Sequence, residues 1–308
     1  MSGNDDGGID FKLYRYTPSL VAAVIFIVLF TLTTAYHLWQ TVRPRCWYFL
    51  VFVTGGICRP VQIIGYICRA LAHSNKENVP IYAVGTIMIL LAPPLYAASI
   101  YMTLGRLIGY LDAERLSPVS TKWLTAIFVT GDVIAFLAQG AGIEQSSILY
   151  HGGGIMASGT ISAMNTGENV TIAGLCVQLV FFSVFIIVAT IFHYRIRKNP
   201  TSRSAGTSIF PRHWREATWE TVMLGLYGAS VLILIRSIFR LIEYAQGNDG
   251  YLISHEVFMY VFDATLMFIT MVGMSLFHPS KVLSPLAKAE ASLDRSYTMT
   301  TELRDEPV

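Results

Sequence analysis

Long apolar runs constrain this chain more than any other feature of its sequence. Seven stretches of about 18 or more mostly apolar residues cover approximately 19–40, 47–71, 81–110, 122–141, 170–194, 219–244 and 257–277. A helix of about 20 such residues spans the hydrocarbon core of a bilayer. The sequence therefore predicts an all-α, polytopic membrane protein with a seven-helix transmembrane domain over residues 18–279. Charged residues make up only 14% of the chain, against about 25% in soluble domains, which excludes an ordinary soluble protein.

The distribution of basic residues predicts the orientation of the bundle. Alternate loops hold most of the basic residues, and the others have only Lys76 between spans two and three and no Lys or Arg over 143–169 or 245–255. By the positive-inside rule, the N-terminal segment 1–17 is extracellular, and the tail 280–308 is cytoplasmic and disordered by its composition. Asn169 begins a glycosylation sequon on the outer side. It directly adjoins the fifth span, where the glycosylating enzyme has poor access. The basic loop residues are Arg43, Arg45, Arg115, Arg195, Arg197, Lys198, Arg203, Arg212 and Arg215.

Polar residues within the predicted spans are candidates for function, because a charged side chain there costs at least about 2.5 to 3.5 kcal/mol on insertion scales. At about 1.5 Å per residue, nearly all of them fall in the extracellular half of the bundle. Spacings of three and four residues place them on single helix faces in spans two and six. The candidate residues for a polar network or a substrate-binding site are Arg59, Gln62, Tyr66, Arg69, Asp132, Gln139, Gln178, Arg236, Arg240, Glu243 and Asp263.

The charge balance of these residues leaves two interpretations open. Four arginines against three acids predict about one uncompensated positive charge, which would suit an anionic group or hydration. A buried network that only locks the helices together is an equal alternative. Pro93 and Pro94, near the middle of the third span, remove two backbone donors and predict a kink that is either a gate or a fixed bend.

Several kinds of chemistry find no support in the sequence. The four cysteines and seven histidines have no spacing typical of a metal site or a disulfide framework, so we expect no metal and no cofactor. Hydrolytic and P-loop motifs are absent, and we expect a protein that is not an enzyme. The net charge of +2 gives no indication of a nucleic-acid partner, and protein partners are not predicted.

Ordered motifs give the chain a resemblance to a known family. They are the Ala92-Pro93-Pro94-Leu95-Tyr96 stretch with Gly105-Arg106, the Gly131-Asp132 pair, the run from Ile235 to Gly247, and the Tyr260–Ala264 segment. These motifs are similar to those of the fungal lipid-translocating exporter family, which is also called RTA-like. The resemblance covers about residues 14–280.

The resemblance implies a fungal protein of the plasma membrane, or alternatively of the vacuolar or another endomembrane. It implies transport of lipids or toxic amphiphiles, such as a sphingoid long-chain base or a sterol-like compound, and resistance to them. Its partners would be membrane lipids or amphiphilic small molecules. One departure concerns Gln62, which stands where the family pattern has Glu. If that Glu recognises a cationic amine, this protein should bind such an amine poorly or prefer another headgroup; otherwise Gln62 keeps the hydrogen bonds and only the pH response changes.

Two other functions remain as alternatives at the level of sequence. A seven-transmembrane receptor-like sensor or regulator of lipid asymmetry would have the same topology. The absence of an Asp-Arg-Tyr sequence at the inner end of the third span weighs against coupling to a G protein. A membrane-embedded lipid hydrolase is supported only by His37, His193 and His278, which lie near the cytoplasmic ends of spans.

Overall fold

The structure is a computed structural model that describes residues 18–42, 55–74, 78–151, 157–204, 218–247 and 250–277. These residues are helical or lie in short connections, and they contain no strand. The long helices are α1 (Leu20–Val42), α2 (Gly55–Ala72), α3 (Val79–Tyr110), α4 (Thr121–His151), α5 (Ala157–Lys198) and α6 (Trp219–Ala245). A short 3₁₀ turn, Glu114–Leu116, lies between α3 and α4.

The last span is built from several helical pieces. After the short helix α7 (Tyr251–Ser254), α8 (Glu256–Met259) leads into a π-helical turn (Tyr260–Thr265), and α9 (Leu266–Leu276) completes the span. The Thr265 hydroxyl donates a 2.8 Å hydrogen bond to the Tyr260 carbonyl, five residues earlier. The sequence predicted this span but not the π-helical turn inside it. π-Helical turns are rare and are frequent at functional sites.

Six helices in the described part of the chain are long and apolar enough to cross a membrane: α1, α3, α4, α5, α6 and the last span, Glu256–Leu276. The predicted second span corresponds to α2, of which the apolar portion Val61–Ala72 is shorter. Residues 47–54 of that predicted span, the segment 1–17 and the tail 280–308 lie outside the described residues. The protein is thus a multi-pass helical membrane protein, and the count of seven spans and the orientation stay predictions.

Two helices extend well beyond their predicted bounds. The fourth and fifth spans were predicted at 122–141 and 170–194, whereas α4 has 31 residues and α5 has 42. At 1.5 Å per residue, α5 is about 63 Å long, roughly twice the hydrocarbon thickness. Gly159 and the exposed Asn169, which both precede the predicted fifth span, are helical. Hydropathy marks only the apolar part of a helix, while backbone hydrogen bonding continues through polar residues.

Helices α3 and α6 lie at the centre of the bundle. Half of the apolar window of α3 and 56% of that of α6 are buried, against 17% for α1. Helix α3 contacts α2, α4 and α6, and α6 contacts α5, α9 and the π-helical turn. Polar side chains on α6 are therefore shielded from lipid, and they face the proline-containing helix on one side and the last span on the other.

Candidate functional site

An ion network links α6 to the last span. Asp263, in the π-helical turn, is fully buried and its carboxylate pairs with the Nε of Arg236 and, at 3.0 Å, with the Nη2 of Arg240. Arg240 Nη1 donates a 2.7 Å hydrogen bond to Glu243 on its own helix. The spacing of four and three residues along α6 places Arg236, Arg240 and Glu243 on one helix face, as the sequence predicted. The predicted residues Arg236, Arg240, Glu243 and Asp263 are thus brought together.

The network also reaches the proline pair of α3. Arg236 Nη2 donates a hydrogen bond of 3.2 Å to the Ile89 carbonyl. Ile89 lies four residues before Pro93, so its carbonyl is the one that a residue with an N–H at position 93 would satisfy. The guanidinium supplies the donor that the proline ring removes, and this connects two features that the sequence showed only separately.

A second ion pair lies where α2 meets the start of the last span. Arg69 Nη2 is 3.4 Å from Glu256 Oε1, and the Arg69 guanidinium lies 5.7 Å from the centre of the Tyr260 ring. The Ser19 backbone N–H, just before α1, donates to both oxygens of Glu256 at 3.0 and 2.9 Å. Glu256 therefore joins the ends of three helices.

Glu256 is a site residue that the sequence reasoning missed. It lies just before the predicted last span, 257–277, and was not among the candidates, because a boundary position needs no buried partner. A signal was present, since Arg69 near the end of span two and Glu256 at the start of span seven fall at the same predicted depth.

The charge balance differs from the predicted one. Arg69, Arg236 and Arg240 each lie against a carboxylate, and these carboxylates belong to Glu256, Asp263 and Glu243. Among the described side chains of this network, the predicted surplus of positive charge is not found. The side chain of Arg59, which contributed to that surplus, lies outside the described residues.

Aromatic rings pack beside the ion network. The Tyr66 ring stacks on Phe26, Phe30 and Tyr260 at centroid distances of 5.9, 5.5 and 6.2 Å. Tyr66 interacts electrostatically with Asp263, so its phenol is part of the same region. Gln62, one turn earlier on α2, is buried, and its Oε1 has no hydrogen-bond partner among the described residues.

Asp132 lies apart from the arginine network. Its side chain on α4 is 2% exposed. The phenol of Tyr101 on α3 is its polar neighbour and interacts with it electrostatically and through a side-chain hydrogen bond. The Tyr101 ring lies 4.4 Å from Phe185 and 5.4 Å from Phe128, between centroids. Asp132 was predicted to help neutralise the arginines, but the structure places it in an aromatic environment in which no described side chain is a cation paired with it.

The remaining predicted residues lie between α4 and α5. Gln139 Nε2 donates a 2.9 Å hydrogen bond to Gln178 Oε1, and both side chains are buried. A Cβ on Gly174 would lie 2.8 Å from the Ala135 carbonyl oxygen, which shows how closely the two backbones approach. The candidate residues therefore divide into the ion network, the isolated Asp132 and a glutamine pair. Within the described ranges, no group of three or more His, Cys, Asp or Glu side chains could hold a metal ion.

Comparisons with known proteins identify the family. The model of the family described as "RTA1 like protein" matches residues 54–285. Protein RTM1 of Saccharomyces cerevisiae is 36% identical, over 87% of this chain and 92% of its own length. Protoporphyrin uptake protein 1 of the same yeast is 34% identical, over 90% and 94% of the two chains. The sphingoid long-chain base transporter RSB1, also of this yeast, is 26% identical over 85% and 72%. No solved structure matches this chain, and on the family match this chain belongs to the RTA1-like proteins.

Proposed function

We propose that this protein is a membrane translocator of lipids or toxic amphiphiles, such as a sphingoid long-chain base or a sterol-like compound, and that it confers resistance to them. The plasma membrane of a fungal cell is its proposed location, with seven spans, an outer N-terminus and an inner C-terminus. In this proposal it is a transporter and not an enzyme. Support at the level of the family comes from the relative named a sphingoid long-chain base transporter.

The observation that carries the proposal is the buried carboxyl group of Asp132, which has no cationic partner among the described side chains. An ionisable side chain inside a membrane bundle is a functional candidate by default, because burying it without a partner is costly. The three arginines of the ion network have carboxylates of their own. A carboxylate accepts several hydrogen bonds, so beside its bond with Tyr101 Asp132 keeps acceptor capacity for a substrate. It lies 11 residues after the start of α4 at Thr121, about 16 Å along the helix, which is the middle of the predicted span.

A carboxyl group among aromatic rings suits an amine headgroup. The carboxyl accepts hydrogen bonds from the amine, and the faces of Phe and Tyr rings attract its positive charge. A sphingoid base combines such an amine with an apolar chain that remains in the lipid. Replacing the water around a headgroup by these protein groups lowers the barrier to moving it through hydrocarbon.

In this proposal the balanced ion network is the scaffold of the transporter. The network joins α6 to the last span through Asp263 and to α3 through Ile89. The Arg69 pair ties α2 to the last span. These links connect helices that would have to move together when a substrate passes. Because one of the links reaches the carbonyl that Pro93 frees, Pro93 and Pro94 are suited to act as a gate.

The test is reconstitution of the purified full chain in liposomes with a panel of labelled amphiphiles. The panel contains a sphingoid base, an aminosterol, a porphyrin and a neutral sterol, and the transbilayer movement of each is measured against protein-free liposomes. We expect faster movement of the amine-bearing compounds. Unchanged rates for every compound would contradict the proposal. Unchanged rates in liposomes together with altered lipid asymmetry in cells that lack the gene would favour the alternative function, a regulator of lipid asymmetry.

A further inference from the structure

A groove lies at the basic end of α5, outside the site described above. Its volume is about 600 Å³, and it is lined by side chains at helical spacings of three, one, three and one residues, which form one face of the helix. The lining residues are Thr190, His193, Tyr194, Arg197 and Lys198.

Helix α6 supports one side of this groove. The His193 ring stacks on Tyr227 at 5.7 Å and meets the Trp219 ring edge-on at 5.8 Å. The Tyr227 hydroxyl donates to the Ala189 carbonyl of α5 at 3.1 Å. These contacts hold the ring of His193, one of the lining side chains, against α6.

The charge of the groove is positive. Arg197 Nε is 3.8 Å from Glu220 Oε1, and half of the Arg197 side chain remains exposed. Lys198 is exposed beside it. Among the described side chains, two cations against the carboxylate of Glu220 leave a net positive charge of one. An anion at the open side of Arg197 and Lys198 would complete the pairing.

An apolar track leads from the lipid-facing surface to this groove. Val184, Ile187 and Ile191 are exposed on α5 at 45%, 57% and 36%, and their spacing of three and four residues continues to Tyr194. An apolar stripe that ends in basic groups matches a molecule with an acyl chain and an anionic headgroup. Free phosphate would use only the basic end.

We propose that the groove binds an anionic phospholipid, with its phosphate headgroup at Arg197 and Lys198 and an acyl chain along the exposed face of α5. In the orientation predicted from the basic loops, the groove faces the cytoplasmic leaflet, where anionic lipids are concentrated. Basic pockets between transmembrane helices on this side are a recurrent form of lipid site. Binding here does not depend on translocation, so the inference stands apart from the proposed function.

The test measures which lipids stay bound to the purified full chain. The protein is equilibrated in detergent micelles with equal amounts of phosphatidylserine and phosphatidylcholine, and native mass spectrometry counts the lipids retained on each molecule. We expect retention of phosphatidylserine over phosphatidylcholine. The double variant Arg197→Gln, Lys198→Gln should bind it roughly thirtyfold more weakly, or about fivefold for each basic residue removed near an anionic group.

The matched control is Arg195→Gln. Arg195 lies two residues before Arg197 but outside the groove, where its Nη1 donates to the Leu116 carbonyl at 3.4 Å. This control removes one positive charge from the same helix end, against two in the double variant, and should keep the bound lipid. Both altered groove residues are exposed, and an unchanged thermal unfolding midpoint checks that the double variant is folded.

Three outcomes would overturn the inference. The first is equal retention of the two lipids by the unaltered protein. The second is equal loss in Arg195→Gln and in the double variant, which would indicate a general charge effect. The third is displacement of the bound lipid by millimolar inorganic phosphate, which would indicate an anion site that does not recognise lipid.

Discussion

Arg236 Nη2 donates to the Ile89 carbonyl at 3.2 Å, the carbonyl that Pro93 leaves without its helical donor. The same guanidinium pairs with Asp263 through its Nε. One side chain therefore satisfies both the gap in α3 and the buried acid of the last span. Removal of Arg236 would leave a carbonyl and a carboxylate incompletely paired in the centre of the bundle.

This relationship predicts coupling between Pro93 and Arg236. Pro93→Ala returns an N–H that can bond to the Ile89 carbonyl, so one of the two contacts of Arg236 loses its importance. We expect Arg236→Gln to destabilise the Pro93→Ala protein less than the unaltered protein, by about 0.5 to 1.5 kcal/mol, the net value of one hydrogen bond. A double-mutant cycle of unfolding free energies in detergent measures this. Additive effects would show that the contact carries no net energy.

Asp263 should be the most sensitive position of the ion network. Asp263→Asn leaves Arg236 and Arg240 without their shared buried carboxylate, and breaking a buried pair costs about 3 to 5 kcal/mol. We expect this variant, and Arg240→Ala, to lose amphiphile resistance in cells more completely than a truncation after Pro285. Expression level and thermal stability are measured alongside, since the variants also weaken the fold. Full amphiphile resistance in both substituted proteins would show that Asp263 and Arg240 are not needed for function.

Asp132 should matter for transport more than for folding. Among the described side chains its carboxyl group pairs with no cation, and the Asn carbonyl oxygen can still accept the hydrogen bond of Tyr101. Asp132→Asn should therefore leave the unfolding temperature nearly unchanged. Because the carboxyl group is an intramembrane functional group, Asp132→Asn should lower the translocation rate of an amine-bearing amphiphile about tenfold or more. Liposome transport and thermal unfolding are measured on the same preparations.

The control for Asp132 is another aspartate outside the bundle interior. Asp112 is exposed and pairs with Arg203 at 3.0 Å, and its φ of 50° is a conformation that Asn also tolerates. Asp112→Asn should leave both transport and stability as they are. Equal transport by Asp132→Asn and the unaltered protein would remove Asp132 from the site.

The close packing of α4 on α5 predicts a contrast between two glycines. A Cβ at Gly174 would meet the Ala135 carbonyl oxygen at 2.8 Å and the Gln139 backbone nitrogen at 3.1 Å. Gly174→Ala should therefore destabilise the protein by about 1 to 3 kcal/mol through overpacking. Gly140 has nothing within 4 Å of such a Cβ, and Gly140→Ala should be neutral or slightly stabilising. Thermal unfolding in detergent distinguishes them, and similar shifts would contradict the packing.

The sequence predicted most of the residues of the site but not how they are arranged in space. Arg236, Arg240 and Glu243 share a face because helical periodicity dictates it, so the sequence placed them together correctly. The separation of Asp132 from them depends on how α4 packs against α3 and α5. No spacing within one helix contains that information.

The bounds of the long helices show a similar division. Apolar composition located α3, α6 and the last span to within about two residues, since their apolar portions end where the helices end. It underestimated α4 and α5, whose polar ends remain helical. The π-helical turn at Tyr260–Thr265 had no signal in the sequence, because a one-residue change in hydrogen-bond register alters no composition.

The sequence by itself determined that this protein lies in a membrane, that it is helical, and which family it belongs to. Transfer of apolar residues into a bilayer and local helix geometry both depend on residues close together in the chain. The tertiary structure decided which charges meet. It paired Arg69 with Glu256 and Arg236 with both Asp263 and the carbonyl that Pro93 frees, and among the described side chains it gave Asp132 no cation. Such pairings depend on contacts between helices far apart in sequence, where Coulomb attraction and desolvation act through space.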